Sequence, residues 1–339
     1  MGTRSRTTVG IVGVALQLAA CQVTPVRPLA TDQRLGPAPS EAAVAPSSLP
    51  PPIASALPDL PPTPAIPASP GGHPGSPPYD LEADRARIIA LAREELGPQT
   101  ITVTVDDVFV LIGPPGWNRA ALRASEKLVR DAVAAYLHGR FDRGPTRAIA
   151  IYLFPSADPY RRYCRSSLHE ECISPFGFYL EGRMIMNAGP GLGTLTHELV
   201  HPFVDADFPG APIWINEGIA SLYEAPVITA PGEIRGATNW RHPRLLRALA
   251  SPTERTSAAL DRLFGMRDEV FRDADEDLHY AMARYVCQWL DSRKLLWPFY
   301  RRWRDTFEKD PTGAQAFVEV VGTSPPEANV AWVKWNRAL

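Results

Sequence analysis

The chain is expected to be an α+β protein with an N-terminal mixed α/β lobe and a C-terminal mainly helical lobe. Three observations point there. β-Branched, alternating runs at 101–105, 108–112 and 148–154 surround a segment with helical spacing. From residue 242 to the end, apolar residues recur almost throughout at intervals of three and four. Before residue 80 the composition cannot bury a core, so about 260 residues are left for the folded part, enough for one large core or two closely packed lobes.

In chain order, Met1 to Arg6 is a short basic region, followed by the mostly apolar run Val9 to Ala20. The run falls short of the roughly 20 apolar residues that span a bilayer and suits a signal-peptide core instead. Its end, Leu18-Ala19-Ala20-Cys21, resembles a bacterial lipobox. That resemblance implies a signal peptide over residues 1–20, a lipidated Cys21, and a place on the bacterial cell envelope with the folded part facing the periplasm or exterior. Gln22 stands where Gram-negative lipoproteins retained in the inner membrane resemble one another in carrying Asp, which favours the outer membrane. Residues 21–79 read as a tether: 17 of the chain's 36 prolines lie between 22 and 78, with few charges or aromatics. Such sequence favours extended polyproline II at about 3.1 Å per residue. A proline-rich docking site for an envelope partner is the alternative.

Residues 80–339 then have globular composition. Leu81 to Leu96 spaces its apolar residues as an amphipathic helix. Ile101–Val105 and Val108–Ile112 are strands stopped by Gly113-Pro114-Pro115-Gly116. Trp117–Leu137 reads as a long helix, Ala148–Phe154 as a strand, and Phe176–Asn187, interrupted by Gly177 and Gly182, as a hairpin or edge strand. In the helical lobe the periodicity predicts helices near 242–250, 257–265, 277–292, 295–308, 312–321 and 325–338.

The chemistry is carried by His197-Glu198-Leu199-Val200-His201, an HExxH motif. Residues i and i+4 share a helix face, so two imidazoles can reach one metal ion. Zinc held in this way keeps a coordination position open for water, and the neighbouring Glu198 can take that water's proton. Pro202 removes the backbone donor to Glu198 and predicts a kink at the second ligand. Downstream comes Trp214-Ile215-Asn216-Glu217-Gly218-Ile219-Ala220, which offers Glu217 as third ligand.

HExxH followed by Trp-x-Asn-Glu-Gly-x-Ala resembles the gluzincin metallopeptidases, and most closely their small bacterial peptidase MA-like members. Specific motifs cover only residues 197–224, although the resemblance extends from about residue 100 to the C-terminus. It implies a zincin-like fold, one Zn²⁺ per chain held by His197, His201 and Glu217, and Glu198 as general base in the hydrolysis of peptide or protein substrates. It also implies that the strand before the metal helix binds extended substrate by main-chain hydrogen bonds. Tyr280, in His279-Tyr280-Ala-Met-Ala-Arg-Tyr285, is the expected hydrogen-bond donor to the oxyanion, with His279 as runner-up. Met184-Ile185-Met186-Asn187 is similar to the Gly-x-Met-Glu-Asn motif of zinc aminopeptidases but lacks its glutamate, so an endopeptidase is expected. Asp205 and Asp207 are candidates to orient a ligand imidazole. Glu224 stands where related proteins also carry an acid, and the resemblance assigns it no role.

Cys164 and Cys172, with seven residues between them, are expected to form a disulfide in an oxidising compartment, and Cys287 in a helical run to be a buried thiol. A net charge of −2 without a basic stripe gives no reason to expect nucleic acid. No phosphate loop, dinucleotide fingerprint or Ser-His-Asp constellation competes with the zinc reading. Two alternatives stay open: an inactive peptidase-like envelope scaffold, and a hydrolase of cell-wall amides.

Overall fold

Asp80 caps the first helix, its carboxylate accepting from the amides of Glu82 and Ala83 at 3.0 Å. Helix α1 (Leu81–Leu96) runs from there to Gly97 at φ 100°. The computed structural model describes residues 78–339. The expected signal peptide, Cys21 and the tether up to residue 77 lie outside the described residues.

Strands β1 (Ile101–Val105) and β2 (Phe109–Gly113) form an antiparallel pair turned by Asp106 and Asp107, both at positive φ, which Asp tolerates better than most residues. Helix α2 (Arg119–Leu137), capped by Asn118, crosses over to β3 (Ile149–Phe154), which lies parallel to β2. Helix α3 (Ala157–Tyr163) and a π turn at Cys164–Leu168 lead to β4 (Gly177–Leu180) and β5 (Arg183–Asn187). These two form a hairpin whose turn residues, Glu181 and Gly182, have φ of 48° and 80°, as a tight primed turn requires. Strand β5 lies parallel to β3, giving a five-stranded mixed sheet in the order β1-β2-β3-β5-β4 with β4 at one edge.

Alternation along the strands divides the core. Leu111, Ile151, Leu153, Met184 and Met186 enter the larger core, shared with α2 and the helices that follow the sheet. Val110, Ile112, Tyr152, Phe154 and Ile185 face the other way, under α1 and α3. The sheet and the helical part thus share one continuous core. Cys164 and Cys172 form a disulfide in the loop between α3 and β4, and Cys287 is a buried free thiol whose pKa burial raises.

Beyond β5 come α4 (Gly193–Glu198), α5 (Val200–Asp207) and α6 (Ile213–Leu222). A short hairpin, β6 (Val227–Ala230) and β7 (Glu233–Arg235), which was not expected, follows. The helical part comprises α7 (Arg241–Ala250), α8 (Asp268–Phe271), α9 (Glu276–Ser292), α10 (Leu296–Thr306), α11 (Ala314–Val321) and α12 (Pro325–Ala338). Helix α12 opens with Pro325 and a capping box in which Ser324 and Glu327 satisfy one another's backbone amides. The helix expected over 257–265 is corrected to a single 3-10 turn, Leu260–Leu263. Leu260 and Leu263 anchor that turn in the core, the Asn329 side chain takes up the Leu260 amide, and Gly265 at φ 78° ends it.

Helix α9 is the axis of this part: every residue from Leu278 to Leu290 is buried, as expected of a helix packed on all sides. It meets α6 very closely. A Cβ on Gly218 would stand 2.8 Å from Cys287 Sγ and 2.9 Å from the Ala283 carbonyl oxygen, so only glycine fits there. Among the described residues no helix is long and apolar enough to cross a membrane.

Candidate metal centre

Two helical segments and one separate helix bring the candidate ligands together. His197 lies in the last turn of α4 and His201 in the first turn of α5, with Leu199 as a loosened turn between them. Leu199 keeps helical dihedrals (φ −63°, ψ −22°), so the two segments stay nearly in line. Pro202 accounts for the interruption, because it has no amide to give to Glu198. The loosening falls between the two ligands rather than at the second one, and the ring centroids of His197 and His201 stay 5.2 Å apart. Tyr136 of α2 donates to the Thr196 carbonyl at 2.7 Å and ties this segment to the sheet side of the core. Glu217 arrives on α6, positioned by the close Gly218 contact with α9.

His197, His201 and Glu217 each offer one ligand atom within 4.8 Å of the others. His197 Nε2 and Glu217 Oε2 stand 3.4 Å apart, about the spacing of two ligands at 2.0–2.2 Å from a tetrahedral ion. All three side chains are largely buried. Glu217 Oε1 accepts from Arg272 Nη2 at 3.0 Å, whereas Oε2 is buried without a hydrogen-bond partner among the described residues. A buried carboxylate oxygen with no hydrogen bond, only His197 Nε2 at 3.4 Å beside it, is an arrangement that a cation would complete. The donor set therefore fits a divalent metal, and two imidazoles with one carboxylate suit zinc.

The charges follow the same geometry. Burial raises the Glu217 pKa, but His197, His201 and Arg272 together hold the carboxyl well below the usual carboxylate range. For His197, burial lowers the pKa, while Glu217, Glu198 and Glu224 more than reverse this and leave it raised. Glu198, 3.7 Å from His201 Nε2, is raised mainly by burial, with both imidazoles opposing. A buried carboxylate beside the ligands with a raised proton affinity has the character of a general base.

The partner of His201 corrects an expectation. Its Nδ1 lies 2.9 Å from Asn216 Oδ1, so the residue just before Glu217 sets the ring's orientation. With Nε2 turned to a metal, Nδ1–H donates to Asn216. Neither aspartate takes this role. Asp205 lies near His201, and burial raises its pKa against the imidazole's opposing charge, but the ring's hydrogen bond goes to Asn216. Asp207 is fully buried and committed elsewhere, accepting from the Arg143 amide at 3.0 Å and from Arg304 Nη1 at 2.9 Å on both oxygens. The adjacent Asn-Glu pair was visible in the sequence; its division of labour between orienting and ligating was not.

Two predictions follow from this division. Asn216→Ala is expected to weaken zinc binding about 10- to 100-fold, as loss of an outer-shell partner does, measured by competition with a chelator of known affinity. Asp207→Ala is expected to leave that affinity unchanged while costing about 3 kcal/mol of stability, measured by denaturant unfolding. The cost stays at the low end for a broken buried pair because Arg304 keeps Asp142 at 2.8 Å. Zinc loss without destabilisation would return Asp207 to the metal.

Tyr280 and Arg272 complete the wall beside Glu217. Arg272 follows α8 directly and donates from Nη1 to Tyr280 Oη at 3.3 Å. Burial, with Glu217 second, raises the Tyr280 pKa well above its ordinary value, so the phenol stays protonated. His279 faces away, its Nδ1 3.0 Å from the Phe271 carbonyl oxygen. Glu224, unassigned in the sequence, is buried and accepts from Arg241 Nε at 3.4 Å. Neither arginine stood out in the sequence, since only the tertiary fold brings them here. Strand β4, at one edge of the sheet, packs beside α4, the helix that carries His197.

The chain matches no model of a known protein family and no curated protein.

Proposed function

We propose that this chain is a zinc-dependent metallopeptidase with a zincin-like fold of the gluzincin kind, acting as an endopeptidase. The observation that carries the reading is the convergence of His197, His201 and the unpartnered Glu217 Oε2 beside the raised Glu198 carboxylate. Bound by these three residues, zinc would supply a Lewis acid that polarises the scissile carbonyl and acidifies water.

The chain's own side chains do the rest. Glu198 takes the proton of the attacking water and passes it to the leaving amine, a role worth about 10²- to 10⁴-fold in rate. Asn216 keeps the His201 ring in one tautomer and orientation. Tyr280 accepts from Arg272, which leaves its own hydrogen for the oxyanion of the substrate. The edge of β4 is the natural place for an extended peptide, paired through its main chain. We place the domain on the cell envelope, outer rather than inner membrane, through a lipid on Cys21 and the proline-rich tether.

The test uses the purified protein and an unfolded protein substrate. Cleavage is expected with zinc, should vanish on chelation, and should return when zinc is restored. A zinc-loaded protein that cleaves neither unfolded proteins nor peptidoglycan-linked peptides would instead be a scaffold; cleavage of the latter alone would make it a hydrolase of cell-wall amides.

A further inference from the structure

Arg241 opens α7 at 8% exposure, its amide bound to Asn239 Oδ1 at 3.1 Å. Its guanidinium is held from three sides. Glu224 accepts from Nε at 3.4 Å, the Tyr280 ring lies with its centroid 4.8 Å from Cζ, and the Trp240 ring lies 5.8 Å away. Two aromatic faces and one carboxylate fix the plane of the group. The Nη1 and Nη2 edge has no hydrogen bond or ion pair among the described residues. Neither Nη group is among the fully buried atoms, so their donors are open to solvent and to a ligand.

Its position says what would meet them. Tyr280, against which it stacks, is bound to Arg272, and Arg272 is bound to the ligand carboxylate Glu217. Glu224 is its one ion-pair partner among the described residues. Two side chains, Tyr280 and Arg272, thus link Arg241 to the ligand carboxylate. Glu224 approaches only Nε, so the fork that pairs two parallel N–H groups with a carboxylate remains open.

We propose that Arg241 receives a carboxylate of the peptide substrate, either its C-terminus or an Asp or Glu side chain close to the cleaved bond. The inference rests on the peptidase reading and adds a substrate class to it: peptides that carry a carboxylate near the scissile bond. Trp240, half exposed beside Arg241, offers an apolar face to the residue bearing that group.

The test measures binding by titration calorimetry to the zinc-loaded full chain carrying Glu198→Gln, which prevents turnover. The probes are two peptide pairs: one free-acid against C-terminally amidated, the other amidated at the end with an internal Asp against Asn. One pair is expected to show about 10- to 100-fold tighter binding of the carboxylate form, the range of a charge-assisted bidentate contact. Which pair shows it identifies the source. Adding Arg241→Gln should bring that ratio close to one, and Arg241→Lys, which keeps charge without the planar fork, should fall between. No carboxylate preference in either pair, whether or not peptides bind, overturns the proposal, as does a preference that survives Arg241→Gln. The peptidase reading stands or falls separately, on zinc-dependent cleavage by the protein with Glu198 intact.

Discussion

Replacing Glu198 with glutamine is expected to leave zinc bound and the fold intact while slowing peptide cleavage by at least about 10²- to 10⁴-fold, the contribution of a positioned general base. The side chain is buried at 7% exposure, and glutamine matches its shape. Because burial already penalises the charged form, removing that charge costs the fold nothing, and the melting temperature should hold or rise slightly. Glutamine cannot take a proton from water, so the loss should appear in kcat rather than in zinc content or in KM. Elemental mass spectrometry, thermal melting and kinetics on one preparation check all three. Near wild-type turnover with zinc retained would remove Glu198 from the chemistry.

Removing a ligand is expected to have the second large effect, and the two classes of ligand should differ. His197→Ala and Glu217→Ala should each lower zinc from close to one ion per chain to a trace, because two remaining ligands are too few for a closed protein site. Stability should separate them. Glu217 is also the buried partner of Arg272, itself 9% exposed along its side chain, so its removal strips a buried cation of one anion. That loss costs about 3 kcal/mol or more by analogy with other broken buried pairs, softened by Glu276 at 3.5 Å from Arg272. His197→Ala removes the imidazole 3.4 Å from Glu217 but leaves that carboxylate Arg272 at 3.0 Å as its cation. Chelated Glu217→Ala should therefore melt well below chelated His197→Ala. Full zinc binding by either variant would mean that the ion sits elsewhere.

Some parts of this architecture were plain in the sequence for local reasons. Alternating Val, Ile and Leu in 101–113 and 149–154 place every second side chain on one face, and the sheet follows that pattern. The spacing of His197 and His201 put them on one side of a helical segment, and Pro202 announced the interruption nearby. Glu217 could be paired with them because its own motif has a recognisable form. What stayed hidden depends on distant segments. Arg272 lies 55 residues from Glu217, and no periodicity links them. Asp205 and Asp207 had the right chemistry for orienting an imidazole, but Arg143 and Arg304 claim Asp207, and Asn216 reaches His201 first. The turn at 260–263 looked helical because Leu260 and Leu263 repeat at three residues, a spacing that a single 3-10 turn satisfies equally well.

Gly218 has a consequence for the order in which the centre is assembled. The third ligand sits next to a residue whose only role is to let two helices touch, and the helix it touches, α9, lies about 60 residues further along the chain. Glu217 is thus held in place by a long-range contact, which is expected to form late because a large loop must close first. Until α9 docks, the two imidazoles lack their third companion, and an incomplete set of ligands holds zinc weakly. If the centre holds zinc, its capture would then report that folding has finished rather than act as a template that starts it.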